Sequence, residues 1–143
     1  MIRQAQAGDV PAIVALTQSL MPRLKNKGAV FDAASFTAYA ESFVAGSPLT
    51  KAFVSEKAGE LASFIFVFLL HQPLTGETVA MKSLWESRVP GHGRSVLRAA
   101  ETWARAEGAK RMIAACFEPG TERLLTMLGY SEVEKSFEKV FSS

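Results

Sequence analysis

Between an apolar stretch and an amphipathic one stands Arg88-Val89-Pro90-Gly91-His92-Gly93-Arg94-Ser95, and this turn restricts the possible folds more than any other segment. Before it, residues 78–85 have strand character. After it, residues 94–107 place Val96, Leu97, Ala100, Trp103 and Ala104 on one helical face and Arg94, Arg98, Glu101 and Arg105 on the other. Glu101 precedes Arg105 by four residues, the favourable order for a helical pair. The two glycines let the backbone turn tightly and approach a ligand without an intervening Cβ. The helix start directs its unpaired N–H groups and its positive dipole end to the same place. A strand, glycine turn and helix in this order make an anion site suited to phosphate or pyrophosphate.

The chain has 143 residues, the size of one ordinary domain. Apolar residues make up 48% of it, enough for a real core and too many for a disordered segment. The net charge is only +2 and the basic residues are scattered, so no nucleic-acid footprint is indicated. Cys116 is the one cysteine, which excludes an intrachain disulfide, and no metal-ligand spacing is present. Ile2-Arg3-Gln4 opens the chain without a signal-peptide pattern. These features lead to the expectation of a reducing, cytoplasmic setting. The greasiest run, residues 61–70, is too short to cross a bilayer.

Along the chain, residues 2–4 suit a short strand. Asp9 with Pro11 opens a first helix that reaches about Met21. Residues 22–28 form a basic connector. Asp32 caps a second helix over residues 33–45, closed by Gly46. Residues 51–57 and 61–71 suit a hairpin turning at Ala58-Gly59, the second strand apolar enough to be buried on both faces. Residues 78–85 and 112–117 supply further strands. Thr121 is placed to cap a short helix over residues 122–128, ended by Gly129. In the tail, residues 130–143, the spacing of Val133, Phe137, Val140 and Phe141 leans to helix.

Strand, Arg-x-x-Gly-x-Gly, amphipathic helix, Gly, strand, short helix and Leu-Gly-aromatic: this order, carried by residues 88–94, 103–108, 112–116 and 124–130, resembles the GNAT acetyltransferase superfamily. Compact bacterial and phage versions resemble it most. The opening Ile2-Arg3-Gln4-Ala5, with Asp9 and Ala12-Ile13, looks like the first strand and helix of that superfamily. The resemblance covers nearly the whole chain and implies a single α/β (α+β) domain over residues 1–143. It implies a mixed, mostly antiparallel sheet of six to seven strands with about four flanking helices. It also implies that two central strands, residues 78–85 and 112–117, splay apart around acetyl-coenzyme A, and that the tail is a strand, against its own spacing. The amides of Gly91, His92, Gly93, Arg94 and Ser95 would hold the pyrophosphate, with Arg88 and Arg94 as nearby cations. The backbone near Leu84 and Trp85 would pair with the pantetheine arm. A Walker loop is set aside because no Gly-Lys-Ser/Thr follows, and a dinucleotide fingerprint because Val96 stands where a third glycine is needed.

The implied reaction moves an acetyl group from acetyl-coenzyme A to a primary amine by direct attack, with no metal, nucleic acid or membrane involved. A lysine-like amine of pKa about 10.4 is nucleophilic in about one molecule per thousand near neutrality, so deprotonation costs about 4 kcal/mol and a base helps. A thiolate of pKa about 8.5 leaves with little help. Glu77, at the distance before the first loop glycine where some family members carry a catalytic glutamate, is the first candidate base; the alternative is a solvated turn residue. Glu86 is the second; the alternative is a surface carboxylate paired with Arg88. His71 suits a structural histidine better than a base, and Cys116 a small buried residue better than an acyl carrier. Trp85 and Trp103 suit the core, with Trp85 close enough to line an acceptor pocket. Leu125 stands where the family often has an acid-supplying tyrosine, and Tyr130 lies on the wrong side of Gly129 to replace it. The chain could therefore be a weak or inactive acyl-coenzyme A-binding module instead of an enzyme. Arg23, Lys25 and Lys27 would favour an acidic acceptor unless they are simply solvated. Family members often dimerise, so a homodimer is a further expectation.

Overall fold

The computed structural model describes residues 1–24, 28–116 and 118–142. Five strands form one sheet in the order β1 (Ile2–Gln4), β2 (Thr50–Lys57), β3 (Glu60–His71), β4 (Thr78–Ser87), β5 (Arg111–Ile113). Neighbours are antiparallel except β4 and β5, which run parallel. Four helices cover the sheet: α1 (Val10–Leu20), α2 (Ala33–Ala45), α3 (His92–Ala106) and α4 (Pro119–Met127).

The alternation of β2 and β3 divides the core in two. Val54, Phe64 and Phe66 point to α1 and α2, where they meet Ile13, Ala40 and Phe43. Ile65, Val67 and Leu69 point the other way, to Val96, Leu97 and Ala100 of α3 and Leu125 of α4. This double burial explains the unbroken apolar run of β3. Asp32 caps α2 by accepting from the Ser35 amide at 3.0 Å, as its position suggests. Asp9 precedes α1 without capping it. Its carboxylate accepts from the Gln6 amide at 2.7 Å and takes both Arg3 guanidinium nitrogens at 2.8 Å. Arg3 also pairs with Glu56 on β2, so one cation ties β1, β2 and the start of α1 together.

Three expectations are corrected. The sheet has five strands among the described residues, not six or seven. Residues 131–142 form neither strand nor helix, and Val133, Phe137, Val140 and Phe141 lie exposed. Their spacing does not alternate, so a strand there would turn charges and apolar groups to the same face. The three-residue β5 also offers a short edge to pair with. The last helix begins at Pro119 with Glu118 as its N-cap residue, so Thr121 lies inside it; a proline suits a first helical turn because its missing N–H is not needed there. The end of the expected fifth strand at Phe117, and Lys25 and Lys27 of the connector, lie outside the described residues. Among the described residues no helix is long and apolar enough to cross a membrane.

Arg3 holds the Asp9 carboxyl below the usual carboxylate range, chiefly through their hydrogen bonds. A lowered folded pKa gives stability that is present above the unfolded value of about 3.9 and lost as pH falls through the folded value. Asp9→Asn should therefore cost about 1–3 kcal/mol in urea unfolding at neutral pH, and the difference from wild type should shrink on acidification below about pH 4. A pH-independent difference would show that the charge plays no part.

Candidate functional site: the α3 start and the β4–β5 gap

β4 and β5 pair through only three residues, the last being Met81 opposite Ile113. From Lys82 to Ser87, roughly 20 Å of strand at about 3.3 Å per residue, no ladder joins the β5-facing edge of β4 to another described strand. The expected second strand over residues 112–117 is cut back to Arg111–Ile113, all of it paired, so the edge of β4 around Leu84 and Trp85 runs past the end of β5 beside a gap in the ladder. The register against β3 slips here too: Phe66 faces Leu84 while Val67 faces Lys82, leaving Ser83 as an extra residue. A bulge of this kind re-aims the strand beside the gap. The Ser83 hydroxyl meets the Tyr39 hydroxyl of α2.

At the upper end of β4 the chain turns into α3. Gly91 takes φ 85°, ψ −25°, a left-handed conformation that other residues adopt at a cost. Gly93 is buried against the sheet, and a Cβ there would come within 3.2 Å of Ser87 Cβ and 3.4 Å of Trp85 Nε1. Sheet side chains take up the carbonyls of this turn. Trp85 Nε1 donates to Gly93 O at 2.8 Å, Ser63 Oγ to His92 O at 2.9 Å and Ser87 Oγ to Val89 O at 2.6 Å.

Ser55 and Ser63, both fully buried, lie 2.6 Å apart, and Ser55 Oγ is 2.9 Å from His92 Nδ1. Hydrogen counting assigns this network. Ser63 spends its one proton on His92 O, so Ser55 donates to Ser63 and His92 Nδ1–H donates to Ser55. The His92 side chain is therefore an anchor on the sheet, and its amide already bonds Val89 O at 3.2 Å. The Ser95 amide reaches back to Gly91 O at 3.4 Å. The N–H groups of Gly91, Gly93 and Arg94 are left without a hydrogen bond among the described residues, with the helix dipole behind them.

The remaining residues sort clearly. Arg94 is exposed at the helix start and makes no ion pair among the described residues. Arg88 turns away from the loop: its Nε donates to Leu61 O and its Nη2 lies 3.4 Å from Glu60. It braces the β2–β3 turn, which corrects both its expected place beside the anion and its expected pairing with Glu86. Trp85 is committed to Gly93 and to the α3-side core, so its ring does not line an acceptor pocket. Trp103 packs in the core as expected.

Glu77 stands just before β4 and pairs with Arg111 of β5 at 3.1 Å. Glu86 lies nine residues farther on, roughly 30 Å along the strand, so the two cannot serve one reacting atom. The Glu86 side chain is 13% exposed and pairs with Arg23 at 3.1 Å; Arg23 also holds Glu118, at the start of α4, at 3.0 Å. Arg23 is thus neutralised and offers no free charge to an acidic acceptor. His71 is exposed at the far end of β3, and Cys116 is exposed just past β5, so neither is the buried structural residue that its sequence context suggests. Tyr130 donates its hydroxyl to Glu101 of α3, and burial together with that bond pushes its pKa up. It is no ready acid, and Leu125 is buried in the core.

Sequence reasoning missed the polar anchors Ser55, Ser63 and Ser87. Their signal was serine at positions of apolar strands that share a face, as in Phe53-Val54-Ser55 and Ser63-Phe64-Ile65. It also missed Lys82, a lone charge in the middle of a strand.

No family model and no curated protein sequence matches this chain. Solved structures share its fold. A transcriptional regulator from Bacillus halodurans C-125 superposes with a TM-score of 0.79 at 17% identity, over 99% of each chain. A ribosomal-protein-alanine N-acetyltransferase from Brucella melitensis biovar Abortus 2308 gives 0.71 at 16%, again over 99% of each. AAC(6')-Iy, in complex with the bisubstrate analog CoA-S-monomethyl-acetylneamine, gives 0.75 at 17%, over 100% of this chain and 98% of that one.

Two substitutions test the anchoring. Gly93→Ala should cost about 1–3 kcal/mol, because Ser87 and Trp85 are held by their own hydrogen bonds and cannot yield freely. Ser63→Ala should cost a similar ~1–3 kcal/mol by leaving the buried Ser55 hydroxyl without its acceptor. Urea unfolding measures both, and wild-type stability in either variant would contradict the bonding described.

Proposed function

We propose that this chain, whose fold is that of the GNAT acetyltransferases, is an acetyl-coenzyme A-dependent N-acetyltransferase that acts on a primary amine by direct attack. The observation that carries the reading is the joining of two features on one strand. The unbonded amides of Gly91, Gly93 and Arg94 sit at one end of the unpaired edge of β4, and the gap past β5 runs along that edge. The first suits a pyrophosphate. The second suits a chain of amides that needs backbone partners, as the pantetheine arm does. Gly91 sets the turn, Arg94 adds a cation, and His92 fixes the loop to the sheet.

Glu86 is the base this arrangement favours. It faces the α1–α2 side beside the gap, whereas Glu77 is bound to Arg111 at the other end of β4. An incoming ammonium group is a natural competitor for the place the Arg23 guanidinium holds between Glu86 and Glu118. Displacement of Arg23 would leave the amine against a carboxylate able to take its proton. The acceptor side accordingly suits a cationic amine. The departing thiolate needs no strong acid, so the loss of a tyrosine at Leu125 slows the reaction without forbidding it. A second reading, an acyl-coenzyme A-binding module without turnover, is favoured by the commitment of Tyr130 to Glu101.

Calorimetric titration with acetyl-coenzyme A tests the reading. Wild type should bind, and Gly91→Glu, which adds strain and a negative charge at the loop, should lose affinity about tenfold or more, about 1.4 kcal/mol. No binding by folded wild type overturns the proposal. In an amine-panel assay Glu86→Gln should lower kcat roughly 100-fold or more while acetyl-coenzyme A binding stays intact, and Glu77→Gln should leave turnover near wild type. The opposite pattern moves the base to Glu77, and binding without turnover on any amine selects the module.

A further inference from the structure

Lys82 is a charged side chain that the transfer chemistry leaves without a role. It stands at the first β4 position past the last β4–β5 pair and one residue before the bulge at Ser83. Its cross-strand partner Val67 is fully buried in the α3-side core, so Lys82 leaves the sheet on that face, where the gap opens. The residue is half-buried, yet no hydrogen bond or ion pair joins its ammonium group to another described residue. The nitrogen is not sealed in either. Among the described residues no buried side-chain nitrogen or oxygen lacks a partner, so Nζ keeps some contact with solvent. Burial without a partner disfavours the charged form. It pushes the Lys82 ammonium below its ordinary range, and the nearby Cys116 and Glu86 oppose this only in part. Lys57, Lys110, Lys135 and Lys139 are by contrast exposed.

We propose that Lys82 is itself an acetyl acceptor, so that the chain acetylates its own β4 strand inside the gap. The inference rests on the acetyl-coenzyme A reading given above. The neutral Lys82 amine attacks the thioester carbonyl carbon. The new C–N bond forms as the C–S bond breaks, and the departing coenzyme A thiolate takes up the proton that nitrogen loses. The products are Nε-acetyl-Lys82 and free coenzyme A, with no further reactant consumed. The modified side chain then occupies the apex of the gap, which makes the reaction self-limiting.

The test incubates the intact chain with acetyl-coenzyme A and maps acetylated peptides by mass spectrometry, with calorimetric titration of coenzyme A run in parallel. Acetylation at Lys82 should exceed that at Lys57 and Lys110 by about tenfold or more, the effect of holding the amine beside the thioester. It should fall with excess coenzyme A and in Gly91→Glu, and Lys82→Arg should remove that acetyl group while surface acetylation persists. If coenzyme A binds and Lys82 is modified no faster than the surface lysines, the inference is overturned and the transferase reading stands. If coenzyme A does not bind, the transferase reading fails and the inference with it.

Discussion

The architecture depends on how the first turn of α3 is fastened to the sheet. Three consecutive strands supply side-chain donors or acceptors for it: Ser55 from β2, Ser63 from β3, and Trp85 and Ser87 from β4. They give a second hydrogen bond to carbonyl groups of the loop and the first helical turn, and so fix that turn against the sheet. The helix itself directs its first N–H groups toward its start, and the sheet beneath holds that start in place. Gly93 is needed because the approach is too close for a Cβ, and Gly91 because the turn passes through the left-handed region.

The second constraint is the early end of the β4–β5 ladder. A parallel pair limited to three residues leaves most of β4 with one edge unbonded. Backbone groups in such a position call for a partner, and an extended, amide-bearing ligand could provide one. The bulge at Ser83 changes which face each later residue of β4 meets. Lys82 points to the α3 side, while Leu84 and Glu86 meet the α1–α2 side. A single strand thus presents a cation to one side of the gap and a carboxylate to the other.

Sequence patterning located most elements because each announces itself locally. β3 shows an apolar run bounded by turns, α2 has an Asp cap and a Gly stop, and α3 has two sharply different faces. Where local signals were absent, the reading failed. Residues 131–142 were assigned to a strand by resemblance, yet their apolar spacing does not alternate and no long edge is available to pair with. Arg88 lies close in sequence to the loop, yet its side chain reaches the β2–β3 turn, whereas Trp85 packs in the α3-side core as its residue type suggests.

The sequence by itself determined the strand–turn–helix unit, the glycine turn at residue 91, and the lack of a tyrosine at Leu125, because these are matters of local conformation and residue identity. The tertiary structure alone decided which groups surround that unit. Ser55 and Ser63 meet His92 across 37 and 29 residues of chain, and Arg23 meets Glu118 across 95. Such pairings depend on register and on the packing of α1 and α4 against the sheet, which no local pattern encodes. The same holds for Lys82, whose unpartnered place in the gap follows from where the β4–β5 ladder stops.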